Sequence, residues 1–208
     1  MHQKNLLKAA LTFVLTAGVL SWLAYYFATP LIELQLPLFR AELKLLLPDF
    51  RIDYLDWKIE HKEAVVAVSA TLSEFRVVLD KVFPSGVSVN ASTLAAHIWV
   101  HPVLILALAA SWPGIAFQHR PWLMLLCLPF VVLAEMLDIP LMLWGSVEDF
   151  LYWQADPARI NESIGSRVQH FLDGGGRYAI SILLALLAIA LFRKILSYRK
   201  IAPCEPQR

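Results

Sequence analysis

The chain has 208 residues, of which 58% are hydrophobic and 17% charged, and its mean hydropathy is +0.58. That is too apolar for an ordinary water-soluble domain and points to a membrane protein. A net charge of +1 leaves no basic footprint for nucleic acid. Two cysteines, Cys127 in an apolar run and Cys204 in a basic tail, exclude a disulfide framework, and no Cys/His zinc pattern is present.

In chain order, the first element is an apolar stretch at Ala9–Thr29. It is longer than the apolar core of a signal peptide, and "YYFATP" has bulky residues where a cleavage site needs small ones, so it reads as an uncleaved first span. Next, Leu36, Phe39, Leu43, Leu46 and Leu47 recur at helical spacing, with Arg40 and Lys44 off the stripe. Two placements fit this helix: lying on the outer membrane surface, or packed on the domain that follows. Pro48 ends it.

"FRIDYLDWKIEH" and "EAVVAVSATL" then read as strands. Phe50, Ile52 and Tyr54 alternate, and Leu55, Trp57 and Ile59 alternate on the opposite parity. A β-bulge near Tyr54–Leu55 accounts for the slip. His61-Lys62-Glu63 fits a hairpin turn, and "EFRVVLDKVF" and "GVSVN" add two short strands around Pro84-Ser85-Gly86, giving one small sheet.

Leu94–Phe117 and Trp122–Trp144 form a tight hairpin of spans two and three, linked by Gln118-His119-Arg120-Pro121. Pro102, Pro113, Pro129 and Pro140 are candidate kinks. Ser146 is read as the N-cap of a further outer helix, with Glu148 and Asp149 in its first turn. Ile160, Ile164, Val168, Phe171 and Leu172 give that segment an apolar stripe. Gly174-Gly175-Gly176 forms a joint and lacks the Lys and Ser/Thr of a phosphate loop. The fourth span is Tyr178–Leu196.

The expected fold is therefore membrane α-helical with four transmembrane helices. A small α+β extracytoplasmic domain occupies 30–93 between spans one (within 1–29) and two. The hairpin covers 94–144, outer helices 145–177, and the last span with its tail 178–208. Lys4, Lys8, Arg120, Arg193, Lys194, Arg199 and Lys200 fall on one side if both termini are cytoplasmic, where the only acid is Glu205.

Four polar residues lie at membrane depth, where charge is costly and usually faces protein or water. His97 and His101 share one face of span two, roughly 5 and 10 Å below its outer end. Glu135 and Asp138 share one face of span three, at about 13 and 9 Å. If the faces meet, two imidazoles confront two carboxylates. Three readings are open: a structural His–carboxylate network, a proton or ligand site, or a metal site of the two-His-plus-carboxylate kind. The pattern lacks the Glu of H-E-x-x-H, so protease chemistry is not suggested. No cofactor is called for, and whether a metal binds is left open.

The exit from span one at "YYFATPLIELQLP", the β-rich outer region, "VSVNASTLAAHIWVHPVLILALAASWPG" entering span two and the tight return into span three resemble, in layout, the exosortase H-associated family of small bacterial membrane proteins. The resemblance covers most of the chain. It implies a bacterial inner-membrane location and an accessory role beside an exosortase, an enzyme that cleaves C-terminal sorting signals of exported proteins. Exosortases use a membrane-embedded Cys with Arg and His. This chain has no such outward-facing Cys. The expected function is thus a non-catalytic accessory or scaffold protein whose partners are the lipid bilayer and another membrane protein. The alternative is a membrane enzyme or ion-coupled carrier using His97, His101, Glu135 and Asp138.

Overall fold

The computed structural model describes residues 2–201, without the side chains of residues 2–5, 28 and 198–201. Cys204 and Glu205, and the side chains of Lys4, Tyr198, Arg199 and Lys200, lie outside the described residues.

The first span and the amphipathic helix are one element. Helix α1 runs His2–Leu46, and its only non-helical backbone is at Phe27, three residues before Pro30. Pro30 cannot donate to the ladder and crowds the preceding turn, which places the kink. Beyond it, Ile32, Leu36, Phe39, Leu43 and Leu47 form one stripe. All but Leu36 are at most 1% exposed. This stripe packs on the domain that follows, which is the second of the two expected placements.

Strands β1 (Phe50–Glu60), β2 (Glu63–Leu72) and β5 (Ser88–Leu94) form an antiparallel sheet in the order β1-β2-β5. The register slips between Ile52 and Tyr54, leaving Asp53 as the extra residue. The bulge therefore lies one residue before its expected position. It moves the buried parity from Phe50 and Ile52 to Leu55, with Tyr54 turned outward. His61 and Lys62 both have positive φ, 49° and 74°. That is the two-residue hairpin turn whose twist matches the strands. "EFRVVLDKVF" is not a single strand in this sheet. It folds into a separate ribbon, β3 (Arg76–Val78) with β4 (Lys81–Phe83). Arg76 pairs with Glu148 at 2.8 Å and so holds the ribbon to the rest of the chain.

Helix α2 is Ala96–Ser111 and α3 is Arg120–Met136. The helix of the expected third span does not run unbroken to Trp144. The chain turns at Leu137–Asp138, and α4 (Ile139–Ala155) begins with Pro140 in its first turn, where a missing N–H costs nothing. Pro129 lies within α3 without ending it. Ser146 is accordingly no N-cap. It sits inside α4 and its hydroxyl donates to Met142 O at 3.0 Å. Ile139, Leu143, Val147 and Leu151, four apart, are all 0% exposed. They close the sheet-side core with the α1 stripe and with Val66, Val68, Ala70 and Leu72 of β2.

Helix α5 (Ile164–Phe171) crosses α4 at Gly145 and Gly165. A Cβ on Gly145 would lie 2.6 Å from Gly165 O. The expected apolar stripe does not make this contact: Ile164 and Phe171 are 65% and 56% exposed, while Gly165 and Ser166 are buried. Close backbone approach has overridden hydrophobic periodicity there. After α5, Gly175 takes φ +107° in the Leu172–Gly176 turn, and α6 (Arg177–Ile201) follows.

Three stretches, Leu6–Phe27, Phe117–Ala155 and Ile164–Ser197, are long and apolar enough to cross a membrane. Helix α2 is apolar but has 16 residues, short of the usual ~20. It packs against α1, α3 and α6. The core of this half is built from Ile105, Ala109, Leu123, Cys127, Ala134, Ala185, Ala188 and Ile189 among others. His119 and Trp122 lie beside Phe192, Ile195 and Leu196, so the Arg120 loop and the end of α6 share one end of the bundle, opposite the sheet.

Candidate functional site

The four polar residues of the two central helices separate into different environments. His101 and Asp138 meet: Nε2 lies 2.9 Å from Oδ2, and both residues are 0% exposed. The helix break explains how. Asp138 is the turn residue between α3 and α4, so its side chain enters the bundle across from α2. His97, one turn earlier, contacts Thr93 Oγ1 through Nδ1 at 3.1 Å and is only half-buried. Glu135 turns to α1, where Gln35 Nε2 donates to its Oε2 at 2.7 Å.

Two residues outside the expected set complete the buried site, both from α6. Ser181 Oγ lies 2.8 Å from His101 Nδ1 and donates to Arg177 O at 2.9 Å. Arg177 is 3% exposed. Its Nη2 lies 3.1 Å from Asp173 Oδ1 and 3.7 Å from Asp138 Oδ1, and its Nε donates to Leu172 O at 3.3 Å. The chain Ser181–His101–Asp138–Arg177–Asp173 therefore ties α2, the α3–α4 turn, the glycine turn and α6 together.

Proton bookkeeping limits what this arrangement can do. The Ser181 hydroxyl proton points to Arg177 O, so His101 Nδ1–H is the donor to Ser181 Oγ. Nε2 then shares one proton with Asp138, as imidazolium with carboxylate or imidazole with carboxylic acid. A serine nucleophile needs a base to take its proton. Here the serine accepts from the imidazole instead, and all three side chains are 0% exposed. The geometry is that of a buried clamp. Among the described residues, no group of three or more His, Cys, Asp or Glu is placed to hold a metal ion.

Arg177 had a readable signal: with both termini inside, as expected from the sequence, a basic residue at the start of the last span runs against the positive-inside distribution, and a buried partner explains it. Ser181 follows at i+4 on the same face. Gln35 had no signal, because it lies six residues past the expected end of span one.

Glu135 belongs to a different feature. With Gln35 it lines a cleft of about 560 Å³ between α1, α2 and α3, otherwise bounded mainly by apolar side chains from Leu20 to Leu38 of α1 and from Leu128 to Val132 of α3. A second apolar cleft, of about 690 Å³, lies on the other side of α1 against α2, Trp57 and Tyr178. Cys127 is a buried free thiol that lines neither cleft.

No family model, curated protein or solved structure matches this chain.

Proposed function

We propose that the protein is a non-catalytic accessory or scaffold of the bacterial inner membrane that assists an exosortase-type sorting enzyme. It has both termini in the cytoplasm and α2 as a fourth, short span completed by the Trp112–Phe117 segment. The observation that carries this reading is the coupling of the outer sheet to the bundle: α1 and α4 run from the bundle into the outer core without a linker. A partner bound outside is thereby held in fixed register with the spans. The outer ribbon also leaves Phe75, Val77 and Val82 exposed at 72%, 56% and 61%. The orientation is supported by Arg120, Arg193 and Lys194 at the bundle end opposite the sheet.

The test is photo-crosslinking in cells from Val77 and Val82. One reproducible membrane partner, lost when Arg76→Ala frees the ribbon, is the expected result. A lone monomer with no adduct from either position overturns the reading.

The second reading, an enzyme or ion-coupled carrier, draws on the ionisable chain through His101, Asp138 and Arg177. Full cellular function in a Glu135→Gln, Asp138→Asn double variant that still folds would count against it.

A further inference from the structure

We infer that the cleft between α1, α2 and α3 is a lipid site, selective for a lipid with a primary ammonium head that pairs with Glu135. The cleft follows α1 for about 27 Å, from Leu20 to Leu38, across the kink at Phe27. Its volume of about 560 Å³ lies in the range of small-ligand sites. A helix with its side chains would fill roughly 2,500 Å³ over that length, so the space takes a hydrocarbon chain and not a partner's helix.

The polar end decides the head group. Glu135 is 3% exposed and sits one residue before the end of α3, at the outer end of the bundle. A carboxylate offers about four acceptor positions. Glu135 accepts one bond, from Gln35, and no described cation lies within the 4.0 Å of an ion pair. Gln35 Oε1 beside it is buried without a donor. Two groups short of donors at the mouth of an apolar channel fit an ammonium that brings several N–H bonds and a positive charge. An anionic head would meet Glu135 as a like charge. A choline head brings charge but no donor. This inference does not rest on the accessory reading, since the cleft and the outer ribbon are separate surfaces.

The experiment is native mass spectrometry of the full-length protein in mixed micelles holding equal amounts of phosphatidylethanolamine, phosphatidylcholine and phosphatidylglycerol. Phosphatidylethanolamine adducts should exceed each of the others by about tenfold, the ratio one charge-assisted hydrogen bond supplies. Glu135→Gln should abolish that ratio while adducts persist. Val132→Trp, at an exposed cleft wall position, should reduce adducts of all three lipids. Protection of the Cys127 thiol, in a Cys204→Ser background, confirms that each variant is folded. Equal retention of the three lipids, a preference that survives Glu135→Gln, or a photo-crosslink from position 132 to a protein instead of lipid overturns the inference.

Discussion

The sheet half and the helical-bundle half of this molecule, outer and membrane-embedded in the proposed orientation, hold together by different means. The outer core is filled by large side chains: Phe39, Leu43, Leu47, Leu72, Leu143 and Leu151 are all at most 1% exposed. In that orientation water surrounds the sheet half, and removing apolar area from it drives packing. The bundle half also buries Ile105 and Leu123, but it adds Ala109, Ala134, Ala185 and Ala188 at its contacts, with the His101–Asp138–Arg177 clamp in the same half. Lipid tails are as apolar as leucine, so close approach and polar contacts must hold those helices. A buried polar contact is thus expected to weigh more in the bundle half, and removal of apolar area from water more in the sheet half.

The largest effect that would break this comparison is at Asp138. Asp138→Ala leaves His101 and Arg177 without their shared carboxylate in a buried site, which should cost on the order of 5 kcal/mol. Thermal exposure of Cys127, buried at 0%, reads the membrane half directly. The Cys127 transition should fall steeply in this variant, while proteolysis of the outer sheet begins near its usual temperature. Phe39→Ala should do the converse. It removes a fully buried ring from the outer core at about 3–5 kcal/mol, so the sheet becomes protease-sensitive while Cys127 stays protected. If either variant loosens both halves together, the molecule unfolds as one unit and the contrast is only one of composition.

The clamp also marks where sequence reasoning succeeds and where it stops. Apolar length and spacing located the long helices, and the parity slip at Tyr54–Leu55 pointed to a real bulge. Equal depth on antiparallel helices brought His101 to Asp138. Three features escaped. The break at Asp138 is invisible in hydropathy, since α4 is as apolar as a span but is buried in the outer core. The α4–α5 contact uses Gly145 and Gly165, and small residues leave no hydrophobic pattern. Glu135 and Asp138 are three apart and would share a face only if the helix ran on through Leu137. Because it does not, one acid joins the clamp and the other faces α1.

Gly145 offers a smaller test at the junction of the halves. Gly145→Ala puts a methyl 2.6 Å from Gly165 O and 2.8 Å from Gln169 Cβ. The carbonyl is backbone and cannot swing away, so α5 must shift, at about 1–3 kcal/mol. Because α5 leads through the glycine turn into Arg177, the Cys127 transition should fall along with that of the sheet. A change confined to the sheet would mean that α5 does not transmit packing to the clamp.

The smallest expected effect sharpens the outer half alone. Glu42 lies on α1, partly buried, with Oε2 lacking a partner, and burial raises its pKa from the ordinary 4.5. The folded state then holds this proton to higher pH than the unfolded chain does. Its contribution is therefore most favourable below the unfolded value and is lost as pH rises through the folded one. Glu42→Gln removes the titration and should stabilise the outer half at neutral pH by about 0.5 kcal/mol. Asp53 titrates in the opposite sense: bonds from Thr71 and Arg51 hold its carboxyl below the usual range, so its contribution is present above its unfolded value and fades in acid. Asp53 is common to both proteins and cancels in their difference. The difference in sheet stability between parent and Glu42→Gln should thus grow as pH rises from 4.5 and then level off. A difference that is flat across that window, or that grows toward acid, would show that Glu42 is solvated well enough for its neighbours on α1 not to matter.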